Sequence, residues 1–440
     1  MNYIPIEIHQ IFCNLLPFLS KINYISTTTY LYKSLYITDA YHIKKKYLKL
    51  LNNTIIRQHK FHKLSSISTS NNLITDIPYH ITKLNAAYNS IISPNAIKHM
   101  LSLKELKLSN NHRISKISQL TNLTKLSIDG TSAVDTIGNL DLVKLNIFGN
   151  SKIIDVCAYT NLKKLNIGWN NQIKVIGLDL VELDASYNCG RYNLDAMSNL
   201  KKLSVRGKWC GVGQDSVMKL DLIELDASDN PGIFDVRHLS NLKVLSAGGF
   251  SNIDQDSIRV LDLVKLDAHD NLGIYDVRYM TNLVSLDCSG VCGIGDLSGL
   301  DLKKLYADNN SKIVNISGMT NLRTLSVSNF CGVDQDSINC LQLYELYAND
   351  NRKITDVSHM RFLRKLDASY QCGINQEGLA TSLVKLDVFN NNKINDLSMF
   401  SNLRKVNIGG RCEANMSDFK LFDVIEIHTI YNPTFFIYTR

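Results

Sequence analysis

Proline is scarce in this chain, six residues in 440, so long stiff linkers are not expected. No stretch reaches the roughly 18 uncharged apolar residues of a membrane-crossing helix, so no membrane association is expected. The opening MNYIPIEIHQIFCNLLPFL lacks the basic region of a secretory signal, and Glu7 interrupts its apolar run. Ten cysteines include no CxxC pair, which speaks against a disulfide framework and against a zinc site. A reducing, cytoplasmic setting follows as the expectation. The net charge of +7 is small for this length and does not by itself argue for nucleic acid. There is no phosphate-cradling glycine loop, no metal-spaced histidine pair and no nucleophile elbow. The chain is therefore expected to be neither an enzyme nor the holder of a cofactor or metal. With 45% hydrophobic and 20% charged residues it is nonetheless ordinary folding material.

What the chain has is a repeat. The pattern L-x-x-L-x-(apolar) starts at Leu103, Leu123, Leu142 and Leu162, and recurs to Leu403, sixteen times at spacings of 18 to 22 residues. Weaker copies start at Phe61, Ile81 and Phe422. Counting each first leucine as position 0, apolar residues at 0, 3 and 5 suit a short strand with one face inward. Position 8 is asparagine in many units, among them Asn111, Asn150, Asn310 and Asn391. An asparagine there can bond backbone groups of the turn in its own coil and the next, which would otherwise be costly to bury. One unit cannot bury its apolar face alone, so only stacking makes a core.

A second period overlies the first. QDSV at 214, QDSI at 255 and 335, and QEGL at 376 recur at multiples of about 40 residues. Coils of that type often carry Cys-Gly where the others carry asparagine: Cys189, Cys210, Cys292, Cys331 and Cys372. These thiols are read as buried substitutes for the asparagine rather than as metal ligands or nucleophiles. The stretch DQDSI invites a catalytic reading, but no partner base accompanies it and it repeats on separate coils. Asp334 or Asp336 is expected instead to start a helical turn, with Asp254 or Asp256 doing the same one pair earlier. Ile338 and Leu341 should then face the core.

LVKLNIFGN and LVKLDVFNN resemble the leucine-rich repeat, L-x-x-L-x-L-x-x-N/C, and CGVDQDSINCL resembles its cysteine-containing class. The resemblance covers about residues 61–430, roughly nineteen units, and implies an α/β fold. That fold is a curved solenoid with a parallel sheet on its concave face. Residues 431–440 read as a tail.

Residues 1–45 are of another kind. Ile4-Pro5-Ile6-Glu7-Ile8 fits a helix start with proline and an acid in the first turn, and Ile8, Ile11 and Leu15 lie on one apolar face. The segment resembles an F-box, which opens L-P-x-E-I/L and continues I-x-x-x-L. Ser26, Thr27, Thr28 and Tyr30 stand where that family has a basic residue and tryptophan. The resemblance implies a Skp-type adaptor bound through Ile4, Pro5, Ile8, Ile11 and Leu15, and recruitment to a cullin ubiquitin ligase. F-box and leucine-rich-repeat proteins of giant DNA viruses are similar in composition, which would place the chain in a host cell. The alternative is a stand-alone repeat protein whose N-terminal helices only cap the solenoid. Basic residues 46–60 are read as a solvated linker or helix.

Positions 2, 4 and 6 should point outward. Position 2 is largely lysine and position 4 often aspartate, and cross-strand pairing should make that face mixed rather than phosphate-tracking. A protein target is expected there, not nucleic acid, with the chain a monomer. Phe148, Trp169 and Tyr187, beside Arg191 and Arg206, form the first candidate target-binding cluster, and Tyr306 with Tyr347 the second. Packing of these aromatics on neighbouring coils is the equal alternative.

Overall fold

The computed structural model describes residues 39–40, 64–68, 77–88, 92–192, 194–410 and 426–428. The chain divides into two compact units, Met1–Val205 with Trp209–Leu220, and Arg206–Lys208 with Asp221–Arg440. Each is a leucine-rich-repeat solenoid of parallel three-residue strands, one per coil. The first unit contains β1 (Asp39–Ala40), β2 (Ser66–Ser68), β3 (Lys83–Asn85), β4 (Glu105–Lys107), β5 (Lys125–Ser127), β6 (Lys144–Asn146), β7 (Lys164–Asn166), β8 (Glu182–Asp184) and β9 (Lys202–Ser204). The second contains β10 (Glu224–Asp226), β11 (Val244–Ser246), β12 (Lys265–Asp267), β13 (Ser285–Asp287), β14 (Lys304–Tyr306), β15 (Thr324–Ser326), β16 (Glu345–Tyr347), β17 (Lys365–Asp367), β18 (Lys385–Asp387), β19 (Lys405–Asn407) and β20 (Glu426–His428).

Within each unit consecutive strands pair in register, leucine beside leucine: Leu126 beside Leu145, Leu266 beside Leu286. These central residues are buried and their neighbours face outward, as the spacing predicts. Two terminal registers differ from expectation. Ile67 pairs with Leu84, and Ile427 with Val406, where starts at Phe61 and Phe422 predict Leu64 and Ile425 as the paired residues. The pairing aligns the apolar residue that can enter the core. Asp39–Ala40, inside the segment expected to be helical, pairs as a strand with β2. A sheet edge offers unpaired backbone groups that a short strand satisfies.

Strands stop after three residues for a local reason. The position 4 side chain accepts the backbone N–H two residues on, as Asn146 does from Phe148 (3.1 Å) and Asp287 from Ser289 (3.0 Å). At position 7 the chain enters the left-handed region, at φ +50° for Asn110, +52° for Asp270 and +60° for Asn309. Asn, Asp and Gly tolerate that conformation, which accounts for their abundance there.

The next residue turns into the core. Asn310 is buried and its Nδ2 donates to Cys288 O (2.7 Å) and Ile294 O (3.0 Å). Asn351 and Asn391 repeat this on Val327 O and Ala368 O. These carbonyls belong to the preceding coil, not the following one as the sequence suggested. Oδ1 meanwhile accepts from the asparagine's own coil, as from Lys312 N (3.1 Å). The residues closing the far side, Ile274 and Val277 among them, are fully buried.

The acidic motif is a cap and a coil-to-coil staple. Helices α1 (Pro94–Lys98), α2 (Gln214–Val217), α3 (Gln255–Ile258) and α4 (Gln335–Ile338) are short. Asp254 and Asp334 are the N-caps of α3 and α4, accepting from Ser257 N and Ser337 N, so the first aspartate of each motif does the work. Ile338 and Leu341 are buried as expected. The serine hydroxyl reaches back to the preceding coil, Ser337 to Val314 O (2.6 Å). The glutamine reaches forward: Gln335 Oε1 accepts from Thr355 N and Asp356 N, and its Nε2 donates to Asp356 O. Around QEGL the cap survives, Asn375 accepting from Gly378 N (3.0 Å), without a helix.

Three substitutions test these assignments. Asn310→Ala leaves two buried carbonyls without a donor and should lower stability by about 2–3 kcal/mol. A urea midpoint unchanged beyond the roughly 0.5 kcal/mol of an ordinary surface change would refute the ladder. Asp334→Ala should cost about 1 kcal/mol and Asp336→Ala much less. Bonds from the Ser337 side chain and backbone lower the Asp334 pKa. Its stabilisation is therefore complete above the unfolded carboxylate pKa and disappears as pH falls through the folded value. The gap in melting temperature between wild type and Asp334→Ala should accordingly hold from neutral pH down to about 4 and narrow below it.

Candidate protein-binding surface

The outward sheet face carries positions 2, 4 and 6. The lysine and aspartate columns do not neutralise each other as cross-strand pairs would. Asp267 and Asp367 make no ion pair with Lys265 and Lys365 of their own strands; each aspartate is turned to its own backbone, accepting from His269 N and Ser369 N. The ion pairs at the edge below the sheet use other lysines, at position 1, Lys163 with Asp179 (3.1 Å) and Lys243 with Asp262 (2.7 Å), while Lys164 of position 2 pairs across strands with Glu182 (2.6 Å); such exposed pairs are worth little individually. In the second unit the face is mixed: Lys265, Lys304, Lys365, Lys385 and Lys405 share it with Asp226, Asp267, Asp287, Asp367 and Asp387. Burial raises the Asp226 and Asp287 pKa values. His269 sits 2.7 Å from Asp267; burial opposes its charge, yet the surrounding carboxylates raise its pKa overall.

In the first unit, Trp169 and Tyr187 stand on adjacent coils with ring centroids 5.5 Å apart. Both occupy position 7, at φ +55° and +61°, and Trp169 is 61% exposed. Left-handed backbone at a bulky residue is strained by about 1–3 kcal/mol. Phe148 is half-buried on the coil before, its ring lying on Gly168, where a Cβ would come within 2.6 Å of it. The three aromatics thus occupy consecutive coils. Arg191 is exposed in the turn after Asn188. Arg206 falls in the second unit, its Nε 3.6 Å from Asp226 Oδ2.

Tyr306 and Tyr347 lie on β14 and β16 with Ser326 of β15 between them. Tyr347 is already engaged: its hydroxyl donates to Glu345 Oε2 (3.1 Å), and Lys365 Nζ lies 4.5 Å above its ring. Burial raises the Tyr306 pKa. Sequence reasoning missed a matching pair in this unit, Tyr370 at position 7 (φ +58°) against Phe389, with centroids 5.5 Å apart. The signal was available: an aromatic where neighbouring coils carry Asn, Asp or Gly.

The cysteines divide. Cys292, Cys331 and Cys372 are buried, and burial pushes the Cys331 and Cys372 thiols up to about 11. They are uncharged packing groups at neutral pH. Cys210 Sγ contacts Ala185 O at 3.7 Å, at the carbonyl where an asparagine amide would donate. Cys189, expected in the same column, is exposed because Asn188 already fills the buried position. The glycine after each buried cysteine is steric: a Cβ on Gly332 would meet Ile313 O at 2.4 Å. Among the described residues no three His, Cys, Asp or Glu side chains are placed to hold a metal ion. The F-box-like residues Ile4, Pro5, Ile8, Ile11 and Leu15 lie outside the described residues.

Trp169→Asn should leave the melting temperature unchanged or raise it, since asparagine relieves the left-handed strain. A fall of several degrees would show that the indole supports the coil.

No protein-family model matches the chain, and no curated protein matches it. Among solved structures it is similar to an internalin (inlF) from Listeria monocytogenes, at 18% identity over 70% of this chain and 81% of that one, with a TM-score of 0.28. It is similar to the functional domain of InlJ from the same organism, which includes a cysteine ladder, at 19% identity over 80% and 69%, with a TM-score of 0.34. It is similar also to TLR13 in its complex with ssRNA13, at 19% identity over 84% of this chain and 60% of that one, with a TM-score of 0.43. These likenesses concern the repeat fold alone.

Proposed function

We propose that the chain is a protein-binding scaffold whose repeats present exposed aromatic clusters to a target. The observation that carries this is Trp169 in ring contact with Tyr187, both exposed and both held in a backbone conformation that the coil would fill more easily with Asn, Asp or Gly. Such clusters supply rigid contact area to an interface. The sheet face mixes lysine with aspartate rather than presenting a continuous basic track, so nucleic acid is taken as the control ligand rather than the target.

The finer reading is a substrate-recognition subunit of a Skp/cullin-type ubiquitin ligase in a reducing, cytoplasmic compartment. Residues 1–45 would dock the adaptor through Ile4, Pro5, Ile8, Ile11 and Leu15, while the repeats hold the substrate. What supports it is the sequence Ile4-Pro5-Ile6-Glu7-Ile8 with Ile11 and Leu15 ahead of a repeat array. A pull-down with purified Skp-type adaptor, using full-length protein and a version lacking residues 1–45, decides it. Retention by the full chain and loss on truncation is expected. Absence of retention by the full chain removes the ligase reading and leaves the stand-alone scaffold with an N-terminal cap.

A further inference from the structure

An apolar ridge runs along the edge of the second unit where the chain leaves the sheet. Phe250, Val291 and Phe330 stand at position 8 of alternate coils, 70%, 68% and 84% exposed. Leu272, on a coil between the first two, is 62% exposed and lines an open groove of about 420 Å³ with Phe250. A second groove, about 690 Å³, lies beside Phe330, walled by Asn329, Asp350, Arg352, Lys353 and Gln371, so its cations lie at the Phe330 end and the aspartate row towards Phe250 and Val291. The ridge is built rather than loose: Asp229 accepts from Phe250 N (3.2 Å) and Asp270 from Val291 N (2.8 Å), fixing the backbone beneath each side chain.

The spacing of the ridge selects its occupant. Alternate coils are two strand spacings apart, about 9.6 Å. A polyproline II segment advances about 9.3 Å per turn of three residues and returns every third side chain to the same face. A β-strand repeats a face every ~6.7 Å, and a helix needs about seven residues for ~10.5 Å, so neither stays in step. Acid lies beside the ridge: Asp229, Asp267, Asp270, Asp287 and Asp308 stand at positions 4 to 7 of the coils starting at Leu222, Leu263, Leu283 and Leu302, and among the described residues none of them is ion-paired to a lysine or arginine, Asp267 pairing with His269. Lys208 Nζ already lies 5.6 Å above the Phe250 ring, which shows a cation accommodated on that aromatic face.

We propose that this edge binds an extended polyproline II segment with an apolar residue at every third position and lysine or arginine between. The apolar residues seat against Phe250, Val291 and Phe330, and the cations reach the aspartate row. The proposal rests on the scaffold reading above and names the chemistry of one partner.

The test uses the full-length protein and a fluorescein-labelled peptide of about four Leu-Pro-Lys triplets, followed by anisotropy. Control peptides replace Pro by Gly, or Lys by Glu. The Leu-Pro-Lys peptide should bind, the glycine version at least about tenfold more weakly, and the glutamate version not measurably. Phe250→Ser combined with Phe330→Ser should weaken binding at least about tenfold with circular dichroism and melting unchanged, since both rings are exposed. Asp229→Asn with Asp270→Asn, which keeps the oxygen acceptors, should flatten the salt dependence. No binding of the Leu-Pro-Lys peptide, equal binding of the glycine version, or indifference to the phenylalanine substitutions would each overturn the proposal. Those outcomes leave the scaffold reading intact, because that rests on Trp169 and Tyr187, which lie outside the ridge.

Discussion

A coil that turns inward after three strand residues carries carbonyl groups into an apolar interior, and the next coil must satisfy them. The asparagine at position 8 does so by a fixed geometry: its amide donates backward to the preceding coil while its oxygen accepts from its own turn. Neither half works alone, because an unpaired buried carbonyl costs about 1–3 kcal/mol. This requirement sets the repeat length, holds the strands in register and makes each coil dependent on its predecessor. It also makes the end coils atypical, since the first has no predecessor to serve.

The cysteine-type coils solve the same problem with a different set of groups. A thiol is a weak donor, and the coil recruits help. Lys312, Lys353 and Lys393 of the following coils donate to Cys292 O, Cys331 O and Cys372 O. The aspartate at position 7 of the coil before receives the N–H at position 8, as Asp270 does from Val291. Glycine follows the cysteine so that the chain can lie on the preceding carbonyls. Where the two coil types alternate they complete each other in this way, giving the period of about 40 residues, whereas Asn150, Asn170 and Asn188 on three successive coils show asparagine coils stacking on themselves. The QDS motif belongs to that alternation: glutamine bonds forward, serine backward, and aspartate caps between them.

Much of this was legible in the sequence because period and burial are tightly linked. Positions 0, 3 and 5 had to face inward, and the buried leucines follow. Capping by Asp334 was legible for the same local reason. The direction of the asparagine bond was not, because an amide spaced by one coil length can reach either neighbour on paper. Cys189 was misplaced because adjacent Asn188 competes for the one buried position, and only the three-dimensional turn shows which residue enters. The terminal registers failed where more than one apolar residue could start the pattern, as with Phe61 and Leu64. The lysine and aspartate columns looked complementary from spacing alone, yet the Asx turn that ends each strand had already engaged the carboxylates. The left-handed position was the largest omission, although its Asn, Asp and Gly content announced it.

That position also separates what the fold needs from what it merely carries. At Asn110 the side chain caps Thr131 N at 3.1 Å, so the left-handed residue contributes to stacking. Trp169 and Tyr187 cannot make this bond, and their backbone strain is about 1–2 kcal/mol each. Their mutual ring contact returns about 0.5–1.5 kcal/mol for the pair. With Trp169 61% exposed, little additional burial offsets the difference. The folded monomer therefore gains nothing net from these aromatics, and asparagine at both positions would serve it as well or better. In the proposed partner contact the rings would be covered, and that is where the difference would be recovered.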